Sequence, residues 1–318
     1  MTAAPLVAVT GGTGFLGRHL VAALAAAGWR IRLLVRRDPV HPLLEGVAPE
    51  IVLGGLDDAA ALARLVRGAD AVVHAAGLTK AGSPAGFLAV NRDGAARLAA
   101  AAAQWAPGAR CILVSSQAAR APHLSPYAAS KRAGEEAFAA GLGDGAWVVV
   151  RPCVIYGPWD REGLALLRLA RGRVSPVPRA PEPRIAMVHA RDAAEAIVAL
   201  CRPGPVRTTF EITDAAPQGH AWSDVLRLVG GLLGRRPRLL PVPDGLMRAA
   251  GRGTDAWAAL SGRPLLFGLG KACEILHRDW APDPAQRMPP GVWSPRISLA
   301  EGMRETVAWW RSVEPEGR

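Results

Sequence analysis

Tyrosine and lysine are scarce in this chain of 318 residues: there are two tyrosines, and only three of the 38 basic residues are lysines, Lys80, Lys131 and Lys271. One of each falls in the stretch SPYAASKRAGEE, as Tyr127 and Lys131, four positions apart. On a helix that spacing sets both side chains on one face. A phenol with a pKa near ~10 is a poor acid or base at neutral pH, but a neighbouring cation favours the phenolate. A compact ammonium also donates to sugar hydroxyls, which the wide fork of arginine does poorly. The pair therefore forms a candidate acid/base unit in a chain whose usual cation is arginine.

A second pattern lies near the start, TGGTGFLGRHL, with Gly11, Gly14 and Gly17 spaced GxxGxxG between an apolar run and a helical one. Glycine allows the tight strand-to-helix turn and lets backbone amides approach a pyrophosphate, whose charge suits a helix N-terminus. Its place at the first strand–helix junction marks a dinucleotide site. The residue closing the second strand separates the two nicotinamide cofactors, because an acid accepts the ribose 2′-OH whereas arginine accommodates a 2′-phosphate. Arg36 and Arg37 stand there, followed by Asp38. NADP(H) is expected, with NAD(H) as the alternative.

The elements that must position these residues follow the rhythm of a parallel sheet. Apolar runs at Leu6 to Thr10, Arg30 to Val35, Pro49 to Gly54, Asp70 to Gly77, Arg110 to Ser116 and Ala146 to Pro152 alternate with helical stretches such as Gly17 to Ala27, Ala59 to Val66 and Asn91 to Trp105. Continuous rather than alternating apolarity predicts strands covered on both faces. The expected fold is α/β, a Rossmann-type doubly wound parallel sheet with a smaller C-terminal substrate-binding lobe. The Rossmann domain is expected over 1–157, with 185–214 returning to it through a helix in VHARDAAEAIVAL and a strand in TTFEIT. The lobe takes 158–184 and 215–318.

Composition excludes several classes. Half the residues are hydrophobic, which predicts a sizeable core. No apolar run is long enough to span a bilayer, so no transmembrane segment is expected. The four cysteines lack CxxC or Cys/His spacing, which argues against a metal site or a disulfide framework and fits a cytoplasmic protein. The net charge of +11 comes from arginines spread along the chain without interleaved aromatics, so no nucleic-acid partner is expected.

Taken in order, TGGTGFLG, HAAG (His74 to Gly77), Asn91, the serines Ser115 and Ser116, PYAASK, RPCVIYGP (Arg151 to Pro158) and VHARDAAEA resemble the motif series of the extended short-chain dehydrogenase/reductases, the NAD-dependent epimerase/dehydratase family. The resemblance runs from about residue 6 to 215. It implies hydride transfer between a nicotinamide and a carbinol carbon. Tyr127 would be the acid/base, Lys131 would lower its pKa and bind the ribose, and Ser116, with Ser115 as the alternative, would hydrogen-bond the substrate oxygen. It further implies cofactor contacts from Gly11, Thr13, Gly14, Phe15, Leu16, Gly17, Arg36, Arg37, Leu56, Ala75, Ala76, Gly77, Tyr127, Lys131, Pro152 and Val154, and a homodimer.

Two positions depart from the family pattern. Members often carry GDL after the third strand, where this chain has GGL with Gly55; Asp57 or Asp58 either replaces that acid or caps the next helix. Sugar-nucleotide members often carry asparagine before YGP, where this chain has Val154, which cannot donate. An oxidoreductase acting on a small-molecule secondary alcohol or ketone is therefore the leading expectation. Trp159, Trp222, Trp257 and RPLLFGLG (Arg263 to Gly270) suggest an apolar or mixed substrate, and the chain resembles the 3β-hydroxysteroid dehydrogenase and dihydroflavonol reductase branches. The alternatives are a nucleotide-sugar epimerase or dehydratase with the same site, and a non-catalytic NADP-binding scaffold or sensor.

Overall fold

A computed structural model describes residues 4–37, 41–261 and 267–314. Asp38 and the first half of the RPLLFGLG run lie outside the described residues. The contacts divide the chain into two compact units, one comprising the residues up to Pro152 with Ala193–Ile212 and Gln286–Ser294, the other Cys153–Asp192, Thr213–Ala285 and the residues from Pro295 on.

The first unit is built on a seven-stranded parallel sheet. Strands β1 (Leu6–Thr10), β2 (Arg30–Val35), β3 (Glu50–Leu53), β4 (Ala71–His74), β5 (Arg110–Val114) and β6 (Trp147–Pro152) are joined by Thr208–Ile212 in the order Thr208–Ile212, β6, β5, β4, β1, β2, β3. Every pairing is parallel. Strands β1, β4 and β5 are buried at every residue, as their continuous apolar sequences require, while edge strand β3 leaves Ile51 and Leu53 exposed. The chain winds outward in opposite directions from β1 and β4. Loops leaving the carboxyl ends of those two strands therefore diverge, and the crevice between them is where open α/β sheets bind ligands.

The helices of this unit are α1 (Phe15–Ala26), α2 (Ala59–Val66), α3 (Pro84–Asn91), α4 (Asp93–Trp105) and α5 (Pro126–Leu142). Leu62, Leu65, Leu98 and Phe138 from α2, α4 and α5 fill one face of the sheet with Val72, Cys111 and Leu113. Gly134 lets α5 lie directly on the end of α3, because the Asn91 carbonyl occupies the place of a Cβ.

The second unit has its own core, in which Tyr156, Leu167, Met187, Val225, Met303 and Trp310 pack together. Its strands form three short pairs: Val154–Tyr156 with Met187–His189, Arg184–Ile185 with His220–Ala221, and Val174–Pro178 with Arg238–Val242. The division differs from the sequence reading in two places. Residues 153–157, 185–192 and 213–214 belong to this unit, because Val154–Tyr156 and Met187–His189 pair with each other and Asp214 N–H donates to Met187 O at 2.7 Å. Gln286–Ser294 belongs to the first unit, because Arg151 donates to Gln286 Oε1 at 3.3 Å and a parallel bridge joins Glu211 to Arg287. No described helix is long and apolar enough to cross a membrane.

Candidate active site

Thr10 ends β1, and the chain turns at once through Gly11–Gly14 into α1. Gly11 takes φ +74°, and a side chain there would overlap the backbone of Ala75 and Ala76; Gly17 sits as tightly on the Gly11 carbonyl. Gly14 N–H closes the turn by donating to Gly11 O at 3.0 Å. Helix α1 then begins at Gly14 with no side-chain cap, whereas Asp58, Ser83 and Ser125 cap α2, α3 and α5. The first-turn amides of a helix have no intrahelical acceptor, and this end of the helix is positive. Phe15, Leu16 and Gly17 supply those amides beside the exposed Thr13 and Gly14. An uncapped glycine turn of this kind suits the pyrophosphate of a dinucleotide.

The end of β4 lies against this turn. His74 Nδ1 and Thr10 Oγ1 are 2.6 Å apart, and Thr10 Oγ1 also accepts from Ala76 N–H at 3.3 Å. Burial, aided by the Lys131 charge, pushes the His74 imidazole down to about 3, so it is neutral. The pair holds Ala75, Ala76 and Gly77 beside Gly11. Arg36 and Arg37 are exposed immediately after β2. Leu56 is half-buried and packs on α4 at Gly94, while Asp58 takes the capping role, accepting from Ala61 N–H at 2.9 Å; Asp57 is exposed.

The two serines after β5 have different surroundings. Ser115 is buried and donates to Glu135 Oε1 at 2.5 Å, and Glu135 accepts two further bonds from the Arg151 guanidinium, at 2.8 and 2.6 Å. Ser115 thus belongs to a buried charged network that ties α5 to β6. Ser116 is half-buried and its Oγ accepts from Ala118 N–H at 3.2 Å, at the head of the short turn Gln117–Arg120. A hydroxyl used as an acceptor keeps its proton to donate.

Helix α5 starts with Ser125 as cap and Pro126 at its first position, so Tyr127 and Lys131 occupy its first two turns. Lys131 Nζ donates to Val114 O at 2.9 Å and lies 3.4 Å from where Gly77 would carry a Cβ. Burial pushes its ammonium down from 10.5 to about 8, with Glu135 opposing the shift. The Tyr127 ring meets Phe87 of α3 edge-on, with centroids 6.1 Å apart at 62°. Its backbone carbonyl accepts from Ser130 Oγ at 2.7 Å, and Ser130 Oγ accepts from Asn91 Nδ2 at 2.9 Å. Asn91 in turn holds the Leu78 amide and carbonyl at 2.8 and 3.1 Å. Lys131, Asn91, Gly77 and Val114 therefore meet at the carboxyl edge of the sheet, two residues in sequence from Ser116.

Sequence reasoning singled out neither Glu135, Ser130, Arg151 nor Thr10. Glu135 carried a signal, since it follows Lys131 by four residues and shares its helix face. Ser130 and Thr10 carried none, because their partners are distant in sequence. Pro152 closes β6 in the first unit, whereas Val154 opens a strand of the second and is exposed. Of the tryptophans, Trp159 packs on Trp309 with ring centroids 5.7 Å apart, Trp222 lies against the second core, and Trp257 is exposed.

The model of the NAD dependent epimerase/dehydratase family matches residues 7–212, and the chain belongs to that family. It is an NAD(P)-dependent oxidoreductase of the extended short-chain dehydrogenase/reductase class. The chain is 50% identical over 309 residues to the ceramide reductase of Caulobacter vibrioides, covering 97% of this chain and 95% of that one. It is 30% identical over 294 residues to a 4-hydroxy-2-methyl-3-oxo-4-farnesyl-3,4-dihydroquinoline-1-oxide ketoreductase of Stigmatella aurantiaca, covering 85% and 86%. Among solved structures, a dTDP-glucose 4,6-dehydratase from Bacillus anthracis in complex with NAD shares the fold, with a TM-score of 0.72 at 18% identity over 98% of this chain and 97% of that one.

Proposed function

We propose that this enzyme is an NADP(H)-preferring reductase acting on a ketone of a long-chain amide lipid of the ceramide type. The observation that carries the reading is the 50% identity to a ceramide reductase over nearly the whole of both chains. The more distant relative also bears an apolar tail in the name of its substrate, a farnesyl group beside an oxo function. A ceramide carries one secondary alcohol on its long-chain base, so the corresponding substrate is the ketone at that carbon. Val154, at the position where sugar-nucleotide members carry asparagine, supports a substrate without a diphosphate.

The glycine turn, Ala75–Gly77 and Lys131 would hold the cofactor, which supplies a hydride when bound. Exposed Arg36 and Arg37 support NADP(H), because a 2′-phosphate is a dianionic acceptor for a guanidinium. Ser116 donates to the carbonyl oxygen and orients it. Tyr127 delivers a proton to that oxygen as negative charge develops on it. The Lys131 ammonium stabilises the phenolate left behind, and the Val114 carbonyl fixes its direction. Ser130 and Asn91 position the first turn of α5, and Ser115 serves through Glu135 to anchor that helix.

The test is consumption of NADPH by the full chain with a synthetic 3-oxo-ceramide in mixed micelles, set against UDP-glucose and dTDP-glucose. Stoichiometric oxidation with the lipid ketone alone is expected. Conversion of a nucleotide sugar with no net change in the nicotinamide would replace this reading with the epimerase one.

A further inference from the structure

We propose that the helix Asp244–Ser261 of the second unit docks this enzyme on membranes bearing anionic phospholipid headgroups. The helix has 18 residues, and its sole described buried residue is Gly251, which packs closely on Gly268 and Leu269 at the start of the neighbouring helix Leu269–Leu276. At about 100° per residue, Leu246, Ala250, Gly253, Trp257 and Leu260 fall in one stripe ~80° wide, and Gly251 lies ~140° around the helix from Leu246. The packed face and the apolar stripe are thus different faces. Leu246 is 60% exposed, Trp257 64% and Leu260 85%. From Leu246 to Leu260 the stripe runs ~21 Å along the axis. A stripe that holds Leu246, Trp257 and Leu260 in water, with the small residues Ala250 and Gly253 between, marks a surface that is covered in use.

The charge carried by the helix and the segment leading into it says what covers the row. Residues 235–261 carry five arginines, Arg235, Arg236, Arg238, Arg248 and Arg252, all exposed, against two aspartates. One of those, Asp255, has a carboxylate oxygen engaged by Leu269 N–H at 2.9 Å. On the same wheel Arg252 lies ~120° and Arg248 ~160° around the helix from Leu246. Leucine and tryptophan on one side with arginine on the other is the composition of a helix lying in the bilayer interface, its apolar side chains among the acyl chains and its guanidiniums reaching back to the phosphates. A second copy of the chain would set the same arginines against each other, and the whole chain is already at +11. An anionic bilayer satisfies both halves of the surface. The docking stands on this helix alone; its use, collecting a substrate that resides in the membrane, rests on the lipid-ketone reading above.

The experiment is flotation of the full chain, without cofactor or substrate, with vesicles of phosphatidylglycerol and phosphatidylcholine and with vesicles of phosphatidylcholine alone. Binding to the anionic vesicles, weakened by added salt, is expected. Leu246→Glu with Leu260→Glu should lower the affinity by at least ~10-fold, at an unchanged melting temperature because both positions face solvent. Arg248→Glu with Arg252→Glu should lower it in the same direction. A parent protein that stays unbound, double variants that bind as tightly as the parent, or a parent dimer that the leucine variant dissolves would each overturn the proposal, the last by making this face an interface between copies. Vesicle binding that persists while 3-oxo-ceramide is not turned over would sink the substrate reading and leave the docking surface standing.

Discussion

Lys131 should destabilise the cofactor-free protein that it serves. Its ammonium is pushed from 10.5 to about 8, chiefly by burial, and a displacement of that size corresponds to ~3 kcal/mol of unfavourable charge burial at neutral pH. Lys131→Met keeps the length of the side chain and removes the charge. It also removes the donor from Val114 O, a loss of about 1 kcal/mol. The net expectation is a gain of about 2 kcal/mol, or ~3 °C in Tm for a chain of this size, together with loss of turnover. The sign of the pH dependence follows from the lowered pKa. Below about pH 8 both folded and unfolded chains hold the proton and the full penalty is present; between about 8 and 10.5 only the unfolded chain holds it, so the parent gains stability relative to the variant. Calorimetric melting of both proteins across that range is the assay. A variant that melts below the parent at pH 7, or a gap that stays constant to pH 10.5, would refute the reasoning.

Arg36→Glu should erode the preference for NADP(H) over NAD(H) by ~1–3 kcal/mol, the worth of a charge-assisted hydrogen bond; titration calorimetry with both cofactors measures it, and equal affinities in the parent would contradict it. The two serines should separate cleanly. Ser115→Ala removes a bond to a buried carboxylate and should lower stability by about 1.5–3 kcal/mol with little change in kcat, whereas Ser116→Ala should lower kcat ~10²-fold or more at a nearly unchanged Tm, as loss of an oxyanion donor does. Denaturant melts and turnover of both variants decide the matter, and the opposite pattern would exchange the roles of the two residues.

The central sheet was legible because its strands are continuous apolar runs bounded by glycine, proline and charge, and the observed ends of β1, β2 and β6 lie within a residue of the expected ones. Tyr127 and Lys131 were legible through their rarity and their spacing on one helix. The surroundings that set Ser115 apart from Ser116 were not, since Glu135 and Arg151 reach Ser115 from α5 and β6. The assignment of Gln286–Ser294 was hidden for the same reason: a proline-rich segment gives no periodicity, and its place follows from Arg151 and Glu211, far away in sequence. The clasp between His74, Thr10 and Ala76 likewise joins residues more than sixty positions apart. What sequence pattern encodes is local geometry; what it omits is which distant polar group satisfies a buried one.

The most direct measurement uses NADPH carrying deuterium at the transferable position of the nicotinamide, 3-oxo-ceramide, and the parent enzyme beside Tyr127→Phe. The parent should place one deuterium on the carbinol carbon of the ceramide formed, and the variant should bind NADPH as before while kcat falls by ~10²–10⁴, the range for a lost general acid. Deuterium absent from that carbon, or near-normal turnover by Tyr127→Phe, would contradict a ketone reductase built on the tyrosine–lysine helix.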